Sequence, residues 1–471
     1  GFMTTVEPAE KSSVAALVCA GGIVPHPPIM VPEVGGAEAR KVRRTQEALV
    51  VLGRKIAASG AETAVFISPH GPVLWDAIGM VTLPAVHGDL GRFGAPEVTF
   101  TLSTDVELAR ALQEELAALG LPGRALGKEY GYQLDHGITA PLYWLKKGGF
   151  AMPAVVCGMA IIPLWKLYGF GVAVQRAAAR LGRRVAVVAS GDLSHRLLPQ
   201  APNGYDPLGA VFDRQVQEIV AAGDPLALIR LDAALIERAG ECGLRPIVML
   251  FGAFDGLAIT SEVLSYEGPF GVGYMVASIT PRAEDNRRRF WEELRAAAAG
   301  RLRNESFLVQ LAREAIKAYL NRGERIKPEK VPPEFSRPAG VFVSLKKDGV
   351  LRGCIGTIEA TQPNIVEEVI ENAISAATRD PRFDPVSPGE VDDLTISVDI
   401  LGVPEPVEGL GALDPKRYGV IVSSGRRRGL LLPDLEGVNT PKEQVAIARR
   451  KAGIGPDEPV QLARFEVIRY H

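Results

Sequence analysis

Five of the six histidines lie within the first 195 residues, and four of those five stand in short motifs just after apolar runs. The motifs are Pro25-His26-Pro27-Pro28, Ser68-Pro69-His70-Gly71-Pro72, Leu134-Asp135-His136-Gly137 and Ser190-Gly191-Asp192-Leu193-Ser194-His195. Imidazole is the commonest transition-metal ligand and the commonest proton shuttle near neutral pH. Neutral imidazoles gathered beyond strand ends, where loops converge, are what a metal-dependent active site needs. The chain therefore reads as an enzyme. His87, in Val86-His87-Gly88-Asp89, has the weakest context and reads as a loop residue, and His471 ends the chain.

His26 and His70 follow the first two strand-like runs, which are expected to be neighbours in a parallel sheet, so the two rings would converge. Prolines beside both restrict the loops and help to hold a ligand geometry. Asp135, Asp192 and Ser194 stand close to His136 and His195 in sequence. They could accept an imidazole N–H and set its tautomer, although Asp135 and Asp192 suit helix N-caps nearly as well. A third metal ligand is sought in Glu241-Cys242. Adjacent helical residues point about 100° apart, so only one of the two would face an ion. Glu241 would complete a two-histidine, one-carboxylate set suited to Fe(II), and Cys242 a softer site that also accepts Zn or Cu(I).

These side chains need a scaffold, and the pattern of the chain supplies one. Strand-like runs at 16–19, 63–67, 154–157 and 185–189 alternate with helical stretches, among them 37–58 and a segment opening on Thr104-x-x-Glu107. Such alternation predicts an α/β domain around a largely parallel sheet, with ligand sites beyond the strands' carboxyl ends. The last strand of this domain is expected over 271–279. The charged segment 281–289 and a connecting helix from Phe290 to Leu302 then mark a boundary, giving domains at 14–281 and 295–471. The second domain reads as α+β. Helices are expected at 304–321 and 364–377, a hairpin turns through Lys347-Asp348-Gly349, and a helix starts at Thr440-Pro441-x-Glu443.

Composition narrows the setting. Of 471 residues 47% are hydrophobic and 23% charged, which suits a soluble globular chain, and the net charge of −2 gives no pull toward nucleic acid or anionic membrane. Four scattered cysteines without a CxxC pair fit a reducing cytoplasm rather than a disulfide scaffold. No apolar run is long enough to span a membrane, and no secretory signal is legible at the start. Gly1-Phe2 ahead of Met3 read as a vector-derived scar.

On the residues quoted above, the first 280 or so resemble the class III extradiol ring-cleavage dioxygenases and their Memo relatives. The resemblance implies that His26 and His70 ligate iron, and that His136 and His195 act as the acid/base and substrate-orienting pair. Cys242-Gly243-Leu244-Arg245-Pro246-Ile247 is similar to the Memo cysteine motif, whereas ring-cleaving members use a glutamate in this region. The implied activity is Fe(II)-dependent opening of a catechol-like ring with O2. The alternative is a Memo-like iron- or copper-binding redox protein. The segment from about 295 to 471 resembles the AMMECR-type domain through Leu351-Arg352-Gly353-Cys354-Ile355-Gly356, Arg379-Asp380-Pro381-Arg382-Phe383 and Gly429-Leu430-Leu431-Leu432-Pro433. That domain implies a radical-SAM partner protein, and a homo-oligomer is the remaining partner expectation. Arg352 and Cys354 alternate along a strand and would share a face, open to an anion or to thiol chemistry.

Overall fold

The computed structural model describes residues 16–74 and 76–471; Gly1-Phe2 lie outside them. The chain forms two compact units that meet between Ala298 and Ala299, inside the helix Phe290–Arg303.

The first unit is built on an eight-stranded sheet. Its strands run in the order Gly123–Leu126, Ile78–Val81, Ala154–Gly158, Thr63–Ser68, Val185–Ser190, Val18–Val24, Tyr274–Glu284, Leu257–Glu267. The four strands from Ala154–Gly158 to Val18–Val24 are mutually parallel, and the last two join antiparallel. Every residue of these four is buried. That burial explains why the runs VAVVAS and TAVFIS show no polar alternation: both faces are covered. Val65 and Ile67 enter one core layer with the helices Val106–Ala118, Leu164–Leu181 and Leu244–Gly252. Ala64 and Phe66 enter the opposite layer with Arg43–Ala58 and His136–Lys147.

Two local expectations are corrected here. The strands that precede His26 and His70 are not neighbours, because Val185–Ser190 lies between them. Strand order is set by the crossover connections, which leave no mark on strand composition. The helix expected to begin with a Thr104–Glu107 box is capped instead by Asp105, whose carboxylate accepts from Leu108 N at 3.1 Å.

The second unit is α+β. One antiparallel sheet has the order Val350–Gly356, Val341–Lys347, Thr395–Leu401, Val467–Tyr470, and another Glu405–Val407, Gln461–Phe465, Gly419–Ser424, Arg427–Leu431. Helices Phe307–Arg322 and Ile365–Thr378 share a core with the first sheet; Pro441–Ala452 packs on the second. The hairpin turns through Asp348 (φ 50°) and Gly349 (φ 78°), the left-handed pair that an Asp-Gly turn accommodates. Between Leu345 and Lys346 the register of this hairpin shifts, leaving Arg352 as an extra residue in its strand. A bulge interrupts alternation, so the expected common face for Arg352 and Cys354 does not form. Arg352 instead turns to Glu390, which Lys347 also holds at 3.0 Å, while Cys354 pairs across with Ser344.

Candidate metal centre

Three adjacent parallel strands end at the site. His26 lies two residues past Val18–Val24, His70 two past Thr63–Ser68, and the Gly191–His195 loop leaves Val185–Ser190 between them. The intervening strand therefore puts Asp192 and His195 at the centre of the cluster instead of its rim. Helix His136–Lys147 brings His136 in from its first position, with Asp135 as N-cap.

His26 Nε2, His70 Nε2 and Cys242 Sγ converge. The two nitrogens are 2.7 Å apart, the sulfur is 3.8 Å from His26 Nε2, and all three atoms lie within 4.8 Å of one another. Asp192, His195 and Cys242 form a second, overlapping group of the same kind. The other face of His26 is fixed by a 2.9 Å hydrogen bond between Nδ1 and Ser190 Oγ, and its backbone N–H donates to Asp192 Oδ1 at 3.0 Å. His26 is buried, while His70 is open to solvent. His136 stacks on His70 with centroids 4.5 Å apart, and Phe93 packs edge-on against His136.

Protonation follows from these surroundings. Burial, reinforced by the neighbouring imidazoles of His70, His136 and His195, holds His26 well below its usual range. Partial desolvation by the side chains packed around its ring also lowers His70, against the pull of Asp135. Burial, His70 and Arg92 bring His136 to about 4. All three rings are neutral near pH 7, the form that ligates metal. His195 Nδ1 faces the Gly240 carbonyl at 2.5 Å. A carbonyl oxygen only accepts, so that nitrogen carries a proton, and in the neutral ring Nε2 is the one with the lone pair. Nε2 lies 3.9 Å from both Cys242 Sγ and Asp192 Oδ2. Burial raises Asp192 to about 6, against the opposing His26 N–H and His195.

Of the Glu241-Cys242 pair, only the cysteine reaches the cluster. Glu241 Oε2 accepts from Leu244 N at 2.7 Å and so satisfies the start of helix Leu244–Gly252. Cys242 is held against the central loop by two backbone bonds: its N–H donates to Asp192 O at 3.2 Å, and Asp192 N–H donates to its sulfur at 3.2 Å. The two segments pass so closely at Gly191 and Gly243 that a Cβ on Gly191 would overlap the Gly243 backbone. Asp135 accepts from Gly137 N at 2.8 Å and from Ser68 Oγ at 2.6 Å, which is the capping role. Ser194 Oγ donates to Ala239 O at 2.7 Å and so shapes the loop. The exposed His87 ring bonds Thr101 across the hairpin formed by strand Ala85–Leu90 and is not one of the grouped donor residues.

Sequence reasoning missed four contributors. Ser190 and the Gly240 carbonyl orient His26 and His195. Tyr132 donates to Asp135. Asp213, buried and raised to about 6 by that burial, accepts from Ser194 N at 2.8 Å and from Tyr266. Ser190 ends the strand in the Ser190–His195 motif and Tyr132 stands three residues before Asp135, so both were within reach of the sequence; Gly240 and Asp213 come from distant segments.

Two soft-to-borderline nitrogens and a sulfur on one centre are a donor set that suits a transition ion, and the residues fit a mononuclear metal. Such a fold with such a site defines a dioxygenase-superfamily α/β domain joined to a separate α+β domain. A family model described as the catalytic LigB subunit of aromatic ring-opening dioxygenase matches residues 21–277, and an AMMECR1 model matches 309–471. The chain belongs to that dioxygenase-subunit family and carries an AMMECR1 domain fused behind it. A protein of Clostridium acetobutylicum is 39% identical over 459 residues, spanning 95% of this chain and 98% of that protein. A Thermotoga maritima protein is 55% identical over 166 residues, 34% of this chain and 95% of its own length. The crystal structure of an uncharacterized protein from Pyrococcus horikoshii, 39% identical, covers 35% of this chain and 88% of that one with a TM-score of 0.33.

Proposed function

We propose that the N-terminal domain is an iron-dependent oxidoreductase that acts with O2 on a small catechol-like molecule, its ion held by His26, His70 and Cys242. The convergence of these three donor atoms carries the reading. When bound, iron would supply Lewis acidity and one-electron chemistry. His195 would take a proton from a substrate hydroxyl at Nε2, the nitrogen its Gly240 contact leaves free. His136, neutral and stacked on His70, would orient the ring and serve a second proton transfer. Phe93 would shield that side from water.

A second reading, a Memo-like iron- or copper-binding redox protein that opens no ring, is favoured by one observation: the third donor at the cluster is the Cys242 thiol while Glu241 is engaged by Leu244 N, where the resemblance to ring-cleaving members implies a glutamate. An O2-uptake screen over catechols with anaerobically iron-loaded protein separates the two. Uptake that depends on a vicinal diol supports ring cleavage. Stoichiometric iron with no uptake favours the second reading, and failure to bind iron or copper defeats both.

A further inference from the structure

The loop that carries His195 is held by its backbone from two sides. Leu193 N–H donates to Gly273 O at 2.8 Å and Gly273 N–H to Ser194 O at 2.9 Å, which ties it to the start of strand Tyr274–Glu284. On the other side His195 N–H donates to Gly240 O at 3.0 Å. The Ser194 N–H, between these two, donates to neither segment. Its acceptor is a side chain from a helix further along the chain, the Asp213 carboxylate at 2.8 Å.

Asp213 lies on helix Pro207–Ala222 and is only 1% exposed. Its hydrogen-bond partners, Ser194 N–H on Oδ1 and the Tyr266 hydroxyl on Oδ2, are neutral donors, and no Lys or Arg bonds it among the described residues. Burying a carboxylate without a cation is costly, so packing alone does not account for it. An apolar side chain would fill the space but would orphan the Ser194 N–H. Two glycines make room for the contact. A Cβ on Gly273 would overlap Asp213 Oδ2. One on Gly209, a helical turn before Asp213 and on the same face, would overlap Ser194 Oγ.

From Ser194 the contacts run on to the imidazole. Ser194 Oγ accepts from Arg196 N at 3.0 Å and donates to Ala239 O at 2.7 Å. The next carbonyl, that of Gly240, receives both the His195 N–H and His195 Nδ1. Asp213 therefore fixes the residue whose hydroxyl registers the 239–240 turn against His195.

We propose that Asp213 is a positioning residue for His195. Through the Ser194 N–H it sets the loop so that Nδ1 meets Gly240 O and Nε2 faces Cys242. Tyr266, bonded to the far oxygen, holds the plane of the carboxylate. The inference rests on the reading of His195 as the proton acceptor for a substrate hydroxyl.

Nitrogen-15 NMR of the histidine-labelled, metal-free full chain at alkaline pH tests this, since no ion then holds Nε2. The ring nitrogens report which of them carries the proton, and the bond made by Nδ1 sets that tautomer. His195, assigned by the signal lost in His195→Phe, should carry its proton on Nδ1. Asp213→Ala should turn it into a mixture of tautomers. Asp213→Asn, which keeps an oxygen for the Ser194 N–H, should restore the wild-type pattern. Ser194→Ala, which cuts the next link, should also give a mixture, and it carries the test if Asp213→Ala does not fold. Where the wild type turns over a diol, Asp213→Ala should lose on the order of 10²-fold in kcat, with KM and bound metal near wild type. The ring signals do not depend on turnover. Absent O2 uptake beside the expected signals therefore supports the positioning and defeats only the catalytic reading of His195. A wild-type proton on Nε2 overturns the proposal, as does a wild-type pattern in Asp213→Ala or in Ser194→Ala.

Discussion

Of positions 241 and 242, it is the thiol that faces the histidine cluster, turned there by neighbours that a sequence does not show. Glu241 satisfies the first turn of the helix that follows, and Cys242 is turned inward by reciprocal bonds with Asp192. Cys242→Ser should therefore weaken metal binding severely. Glu241→Gln should spare the metal and leave helix stability nearly unchanged, because the amide oxygen still accepts from Leu244 N. Anaerobic X-ray absorption checks this directly, because a thiolate gives a sulfur shell at about 2.3 Å that the serine variant lacks. His195 sits differently. With Nδ1 committed to Gly240, His195→Phe should keep stoichiometric metal and lose about 10²–10⁴ in turnover, the usual contribution of a general acid or base. His136→Phe should behave in the same way but less severely. Metal content measured beside O2 consumption decides, and a His195→Phe protein without metal would make that histidine a ligand.

Elements show where the sequence was legible and where it was not. Runs such as Thr63–Ser68 and Val185–Ser190 announced buried parallel strands, since apolar stretches covered on both faces carry no alternation. The Asp-Gly turn at 348–349 and the Thr440 cap were equally plain, because both rest on local backbone chemistry. The placement of Val185–Ser190 between the His26 and His70 strands was not, and neither was the bulge at Arg352. Both depend on which strand meets which, a non-local choice. Histidine positions thus revealed that a site exists, but not that the Asp192–His195 loop occupies its middle. Gly353 offers a test at this scale. Its Cβ would strike the Ala376 carbonyl, so Gly353→Ala should destabilise the C-terminal unit by roughly 1–3 kcal/mol through overpacking. Urea unfolding followed by a probe confined to that unit measures it. The Glu390 node offers another. Burial alone would raise this carboxyl, but hydrogen bonds from Arg352, Ser387 and Lys347 outweigh it and hold the group at about 2, below its ordinary 4.5. A lowered folded value stabilises above the unfolded one. The contribution is complete above pH 4.5 and is lost as the pH falls from there toward 2. Glu390→Gln should remove that dependence, so the C-terminal unit of the variant, less stable at pH 7, should lose less stability on acidification than wild type.

At the scale of the whole molecule, the two units each own their cores. Two apolar layers flank the first sheet in one, and three separate clusters serve the other. The proposed metal touches residues of the first unit only. A ligand that binds only the folded state stabilises by an amount set by its free concentration over Kd, about 2.7 kcal/mol at a hundredfold excess. For a unit of this size each kcal/mol is worth about 2–4 °C in Tm. Calorimetry of the full chain should therefore show an N-terminal transition that moves up by roughly 5–10 °C when metal is added and back when it is chelated. The C-terminal transition, identified as the one that Gly353→Ala lowers, should stay in place. The shift should vanish in the His26→Ala, His70→Ala double variant, whose cooperative unfolding would show that the fold survives without the two rings. If metal moved the C-terminal transition and not the other, the ion would belong to the second unit and the assignment of His26, His70 and Cys242 would fail.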